Sequence, residues 1–231
     1  MSLEVNVRRS ELVNGACRPV CYHPLAMLDH LVYATPDLER AIEDMERRTA
    51  GVRPAYGGKH AGGLTHNALL SLGEGSYLEI IAPVTPGDRS SALPFGLAAL
   101  RSPRLLTWAT AVDDMERRVA SVRAAGYDPG EIVAGGRDLP DGGRLEWRLA
   151  LRGEPAGDGI VPFLIEWKSE PHPSTTAPTG CRLVELRAEH PDPAAIGRML
   201  KALEVDLAVA RGLEPRLIVV LDAPNGRVEL S

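Results

Sequence analysis

Aromatic residues are scarce in this chain: two Phe, five Tyr and three Trp make up 4% of its 231 residues. A surface that stacks nucleic-acid bases draws on more of them than this. Basic residues do not outnumber acidic ones either. The 26 Lys and Arg stand against 31 Asp and Glu, for a net charge of −5 and a pI near 5.7. That balance disfavours nucleic acid and acidic membranes as main partners. Long apolar runs are missing as well. The longest, LIVVL at 217–221, has the length of a buried strand, far short of the roughly 18 residues of a membrane span. The first 26 residues, MSLEVNVRRSELVNGACRPVCYHPLA, have no continuous apolar core and no signal-peptide shape, so a cytoplasmic protein is expected. The three cysteines form no disulfide framework, being odd in number with two close together. Cys17, Cys21 and His23 could supply three metal ligands, but their spacing is not that of a zinc knuckle and no fourth ligand follows nearby. They are read as ordinary residues.

What remains is the composition of a folded globular protein, 44% hydrophobic and 25% charged. Its organisation is repetitive. LDHLVYATPDLERAIEDMERRTAG, LLTWATAVDDMERRVASVRAAG and CRLVELRAEHPDPAAIGRMLKAL each read as an apolar strand, an acidic or proline-marked helix start and an amphipathic helix. The apolar stripes are Leu38, Ile42 and Met45, then Met115, Val119 and Val122, then Ile196, Met199, Leu200 and Leu203. Capping chemistry opens the helices: Thr35 before Pro36, Asp113 with Glu116, and Asp192 before Pro193. Gly51 and Gly126 close the first two. Hairpin material follows each helix, with turns at GEG, at the longer RGEPAGDG, and at APNG, where Asn225-Gly226 is the strongest turn signal.

The expected class is therefore α+β, with repeated βαβββ modules whose curved mixed sheets enclose a cleft. Residues 1–26 form an N-terminal extension, 27–100 the first module, 101–179 the second, and 180–231 a third, shorter β-α-β module. Aligning Asp37, Asp114 and Asp192 brings His30, Thr107 and Glu185 into register, and the closing strands offer Glu79, Glu166 and Glu229. A histidine and glutamates thus recur at strand positions where apolar residues belong. His30 has two readings, contact with a metal or substrate, or a strand histidine bonded to nearby backbone. Glu79, in YLEII beside Tyr77 and Ile81, is a functional or a paired structural carboxylate, because a bare buried one is too costly. Glu166, between Ile165 and Trp167, carries the same alternatives. His60 and His66 lie among Gly57, Gly58, Gly62 and Gly63, on a flap that could bring imidazoles, Thr65 and Asn67 over a substrate. On a regular strand His66 and Asn67 would face opposite ways. Trp108, Trp147 and Trp167 read as core or cleft wall, and His172 and His190, beside prolines, as surface residues.

A first strand ending in DHLVYAT, a helix, and a hairpin closing in YLEII resemble the vicinal oxygen chelate superfamily, which includes glyoxalase I, extradiol dioxygenases, fosfomycin-resistance proteins and several epimerases. The stretches DHLVYATPDLERAI, GGKHAGGLTHNALLSLGEGSYLEII and VPFLIEW followed by HPS are similar to the bacterial glyoxalase-like domain family, over roughly residues 28 to 230. By that resemblance His30 and Glu79 fall on the metal-ligand positions of module one and Glu166 on the module-two glutamate position. The fourth position falls on Thr107 or its neighbour Trp108, neither of them a good ligand.

The resemblance implies a divalent metal, Zn, Mn, Fe or Ni, on His30, Glu79 and Glu166, completed by water, His60 or His66. It implies a lyase, isomerase or dioxygenase acting on a small oxygen-rich substrate between the modules, with Glu79 or Glu166 as ligand or base. His60, Thr65, His66, Asn67, Trp108 and Trp167 would contact that substrate. The rival expectation is a metal-free small-molecule binding or resistance-type sequestering protein using the same cleft. A third is an interaction platform or homodimer built on module three.

Overall fold

A computed structural model describes residues 28–231 apart from positions 74, 140 and 141. The expectations for Cys17, Cys21 and His23 lie outside the described residues. Module one contains β1 (Leu28–Ala34), α1 (Leu38–Arg48), β2 (Ala55–His60), β3 (Thr65–Gly73) and β4 (Ser76–Pro83). Module two contains β5 (Arg104–Ala111), α2 (Met115–Ala124), β6 (Glu131–Asp138), β7 (Arg144–Leu151) and β8 (Phe163–Trp167). A short helix α3 (Pro173–Thr176) leads to module three, with β9 (Arg182–His190), α4 (Pro193–Ala202), β10 (Val209–Arg211), β11 (Arg216–Ala223) and β12 (Gly226–Leu230). No helix among the described residues is long and apolar enough to cross a membrane.

The long helices obey their sequence periodicity. Leu38, Ile42 and Met45 are buried on α1, Met115, Val119 and Val122 on α2, and Ile196 and Leu200 on α4. Each is capped by an aspartate, Asp37, Asp114 or Asp192, whose carboxylate accepts the backbone N–H three residues on. The cap of α2 is therefore Asp114 rather than Asp113, and Pro36 lies before the cap of α1.

The first two modules close an eight-stranded barrel in the order β1-β4-β3-β2-β6-β7-β8-β5. Each opening strand runs parallel to its module's closing strand, β1 to β4 and β5 to β8, while β5 lies antiparallel to β1. The other joint between modules is short. It pairs Lys59 with Asp138 and His60 with Arg137 across β2 and β6. Outside the barrel, helix and sheet residues including Leu31, Trp108, Met115 and Leu221 share one continuous core. Inside it, Val32, Ala34, Ile81, Phe163 and Ile165 pack with Leu93, Leu97 and Leu100 of the inter-module segment. That segment holds a 3-10 turn at Pro94–Ala99.

Module three departs from the other two. Its strands form a separate sheet in the order β10-β9-β11-β12, so the last strand lies at an edge, away from the first. The alignment of Glu185 and Glu229 with His30 and Glu79 therefore does not carry into space. Both are exposed and lie beside Arg187 on the sheet surface, at 3.7 and 3.3 Å. The hairpin turn is Pro224–Asn225, with Gly226 already paired to Ala223.

Candidate active site

Strand alternation sends His30 from β1, His60 from β2, Thr65 and Asn67 from β3, and Tyr77, Glu79 and Ile81 from β4 into the barrel. They line a cavity of about 390 Å³. Module two supplies mostly apolar wall, including Trp147, Leu149, Phe163, Ile165 and Trp167, and one cation, Arg137.

His30 is held from behind by its neighbour in sequence. Its Nδ1 lies 2.6 Å from Asp29 Oδ1. Regular alternation would set these two side chains on opposite sides of the wall, but β1 carries an extra residue here. Leu28 pairs with Thr110 and His30 with the adjacent Ala109, so Asp29 is the unpaired residue of a bulge. Leu28 consequently faces the outer core rather than sharing the face of His30. The second oxygen of Asp29 accepts from Trp167 Nε1 at 2.8 Å and meets His172 Nε2 at 3.1 Å. Burial alone would raise the Asp29 carboxyl. The His172 and His30 hydrogen bonds, the His30 charge and the Trp167 indole outweigh it and hold this carboxyl well below the usual range. An ionised carboxylate only accepts, which makes Nδ1 of His30 the protonated nitrogen and turns Nε2 toward the cavity. Tyr77 stacks on the imidazole, with ring centres 4.9 Å apart, and Phe163 meets it edge-on.

Across from His30, Glu79 Oε1 accepts from Asn67 Nδ2 at 2.6 Å and lies 3.2 Å from His60 Nε2. Thr65 Oγ1 lies 2.8 Å from His60 Nδ1, and Asn67 Nδ2 lies 3.2 Å from His60 Nε2, which ties the four side chains into one network. Burial would raise this carboxyl too. The His60 hydrogen bond and charge, the His30 charge and the Asn67 amide lower it to about 2. The other oxygen, Oε2, stands 3.8 Å from His30 Nε2, too far for a hydrogen bond. An imidazole nitrogen and a carboxylate oxygen thus face the same small space.

Three sequence expectations need correcting. Glu166 faces away from the cavity, where its carboxylate takes Arg148 Nε at 2.7 Å and Lys168 Nζ at 2.9 Å. Ala34 pairs with Ile81 and Ala111 with Ile165, so the spatial counterpart of Glu79 is Phe163; Glu166, an odd number of residues along, emerges on the other side. Trp108 packs in the outer core and donates to the Ile160 carbonyl at 2.8 Å. His66 also faces outward, against Tyr56. Burial and the charges of Lys59 and His60 lower its pKa. The structure does bring together His30, Glu79, His60, Thr65, Asn67 and Trp167. Sequence reasoning passes over Asp29, Arg137 and His172. The first becomes visible as the partner of His30 only once the bulge is known, and the other two arrive through tertiary contacts.

The donor set does not suit the metal that the resemblance implies. Among the described residues no three His, Cys, Asp or Glu side chains are placed to hold an ion. Module two offers Thr107 and Phe163 where module one offers His30 and Glu79, and Glu79 Oε1 is already engaged by Asn67 and His60. Protein purified without chelator and measured by plasma emission is expected to hold well under one equivalent of transition metal. A stoichiometric ion that disappears in His30→Ala would overturn that expectation.

A pair of βαβββ modules closing one barrel around an internal cavity is the fold of the vicinal oxygen chelate type. The chain belongs to the glyoxalase-like domain family, whose model matches residues 28–204. No curated protein sequence matches it. Among solved structures it is similar to a hypothetical protein from Staphylococcus aureus, with a TM-score of 0.57 at 14% identity, covering 87% of this chain and 83% of that one. Methylmalonyl-CoA epimerase from Mycobacterium tuberculosis gives 0.41 at 23% identity, over 63% and 89% of the two chains. A mutant of 4-hydroxymandelate synthase from Streptomyces coelicolor gives 0.45 at 13%, over 88% and 62%.

Proposed function

We propose that the chain is an acid–base enzyme of isomerase or lyase type that moves a proton on a small carbonyl compound held in the barrel. The observation that carries this reading is the Asp29–His30 pair pointing Nε2 at Glu79 Oε2 inside a largely apolar cavity. His30 takes a proton from a carbon next to the carbonyl, and the electron pair left behind spreads onto the carbonyl oxygen. The imidazolium that forms lies between two carboxylates, Asp29 at Nδ1 and Glu79 facing Nε2, which stabilise its charge. The same nitrogen then returns the proton, or the intermediate expels a leaving group. Thr65, His60 and Asn67 fix the orientation of Glu79, while Trp147, Phe163 and Trp167 shield the site from water.

A panel of compounds tests this without the natural substrate in hand. Small carbonyl acids and esters are incubated with the protein in D2O and followed by proton NMR. Wild type is expected to exchange the carbon-bound proton of at least one compound, and His30→Gln to lose that exchange by about a hundredfold or more. Exchange that is equal in both proteins, or absent with compounds shown by tryptophan fluorescence to bind, overturns the enzyme reading. The latter result favours the binding-protein alternative, for which the indoles of Trp147 and Trp167, 5.5 Å apart in the cavity wall, are the supporting feature.

A further inference from the structure

The cation in this cavity forms no ion pair among the described residues, and the carboxylate of Glu79 acts on it only from a longer range. Arg137 is only 3% exposed, yet no carboxylate among those residues lies within ion-pairing distance of its guanidinium. One nitrogen, Nη1, donates to the carbonyl of Gly57, and its remaining N–H groups have no partner among the described residues. Its free N–H groups open onto the cavity, and a guanidinium held in a largely apolar wall without an ion pair is suited to take its anion from a ligand.

Its position is built rather than incidental. His60 and Arg137 are register partners across the joint of β2 and β6, which places both side chains on the inner face. Gly57 is the extra residue of a second bulge, since Tyr56 pairs with Ala68 and Gly58 with the adjacent Asn67. A side chain at Gly57 would overlap Asn67 Oδ1 and crowd Arg137 Nη1 at 3.0 Å, so glycine here lets the amide and the guanidinium both approach the backbone. Asn67 Oδ1, beside it, is itself buried without a hydrogen-bond partner among the described residues.

We propose that Arg137 binds the carboxylate of the substrate, which makes the substrate a small monocarboxylic acid with an apolar body. The charge count favours a monoanion over phosphate. A single guanidinium neutralises one negative charge through a two-point fork, and the fixed carboxylate of Glu79 on the same cavity repels a second. The apolar walls of Leu149, Phe163, Ile165 and Trp167 receive the rest of the molecule. This rests on the cavity being the substrate site.

Binding measured by tryptophan fluorescence and ligand-detected NMR tests it, with matched acids and amides as probes: benzoate against benzamide and hexanoate against hexanamide. Wild type is expected to prefer each acid by about tenfold or more. Arg137→Gln is expected to lose that preference while keeping the amide affinity, and His30→Gln to keep it. Acid and amide binding equally well to wild type overturns the role of Arg137 and leaves the cavity reading standing. Failure of all four compounds to bind, with inorganic phosphate also silent, overturns both. Phosphate competing more strongly than either carboxylate replaces the monoanion assignment. Because Arg137→Gln can lose its fold, Arg137→Lys is measured beside it; lysine keeps the charge without the fork, and an acid preference reduced but present is the expected result.

Discussion

Asp29→Asn is expected to fold, to bind the same ligands as wild type, and to lose about 10²- to 10⁴-fold in proton-exchange rate. The carboxylate accepts from His30, from Trp167 and from His172. An asparagine side chain offers one acceptor oxygen and an NH2 group in its place, and it cannot satisfy three donors. If the amide nitrogen turns to His30, Nδ1 becomes the acceptor, and the proton moves to Nε2, where it blocks the face that must receive the substrate's proton. If the oxygen stays, the indole or His172 is left without its partner, and the negative charge that stabilises imidazolium is gone in either arrangement. Exchange in D2O together with fluorescence titration checks the result. The loss belongs in turnover rather than in affinity, so an unchanged rate, or weaker binding at an unchanged rate, would refute a positioning role for Asp29.

Glu79→Gln is expected to destabilise the protein at neutral pH and to make no difference in acid. The Glu79 carboxyl is lowered from 4.5 to about 2 in the folded protein. A group with a depressed folded pKa adds stability that is fully present above its unfolded value. That stability is lost as pH falls through the folded value, so the window here runs from 4.5 down to about 2. A shift of this size corresponds to about 3 kcal/mol at pH 7, a substantial part of a domain's total. Urea unfolding at pH 7 is expected to show the variant less stable by an amount of this order, with the gap shrinking as pH falls toward the lower end of the window. A gap independent of pH would mean that Glu79 contributes through shape or hydrogen bonding alone, and the ionised form would have no special standing in the site.

The half of the site that can be read in the sequence is the half in which ordinary strand geometry applies. On β4, Tyr77, Glu79 and Ile81 alternate as a regular strand must, and on β3 the same rule sends Asn67 in and His66 out. The repeat also places the helices and their caps to within a residue or two. Glu166 misleads because a glutamate near the end of a closing strand looks equivalent to Glu79 until the register is known. The pairing of Ala111 with Ile165 sets it on the outer face, where Arg148 and Lys168 neutralise it. His172 reads as a surface loop residue beside proline, and nothing local marks its bond to Asp29, 143 positions away. Arg137 comes from a strand with no sequence signal of function, brought to His60 only by closure of the barrel. Module three misaligns because its order of elements matches the others while its strand order does not.

The unpaired residue in β1 has a consequence for how such a site arises. Without it, Asp29 would project through the wall into the apolar layer beneath the helices, and its ionised carboxylate would be a defect there. With it, the same residue type at the same place in the chain becomes the hydrogen-bond partner of His30. The difference between the two outcomes is one residue of strand length and not the identity of any side chain. A strand one residue shorter at this point would keep both residues and lose their pairing, so the contact depends on the length of β1 as well as on the identity of its side chains.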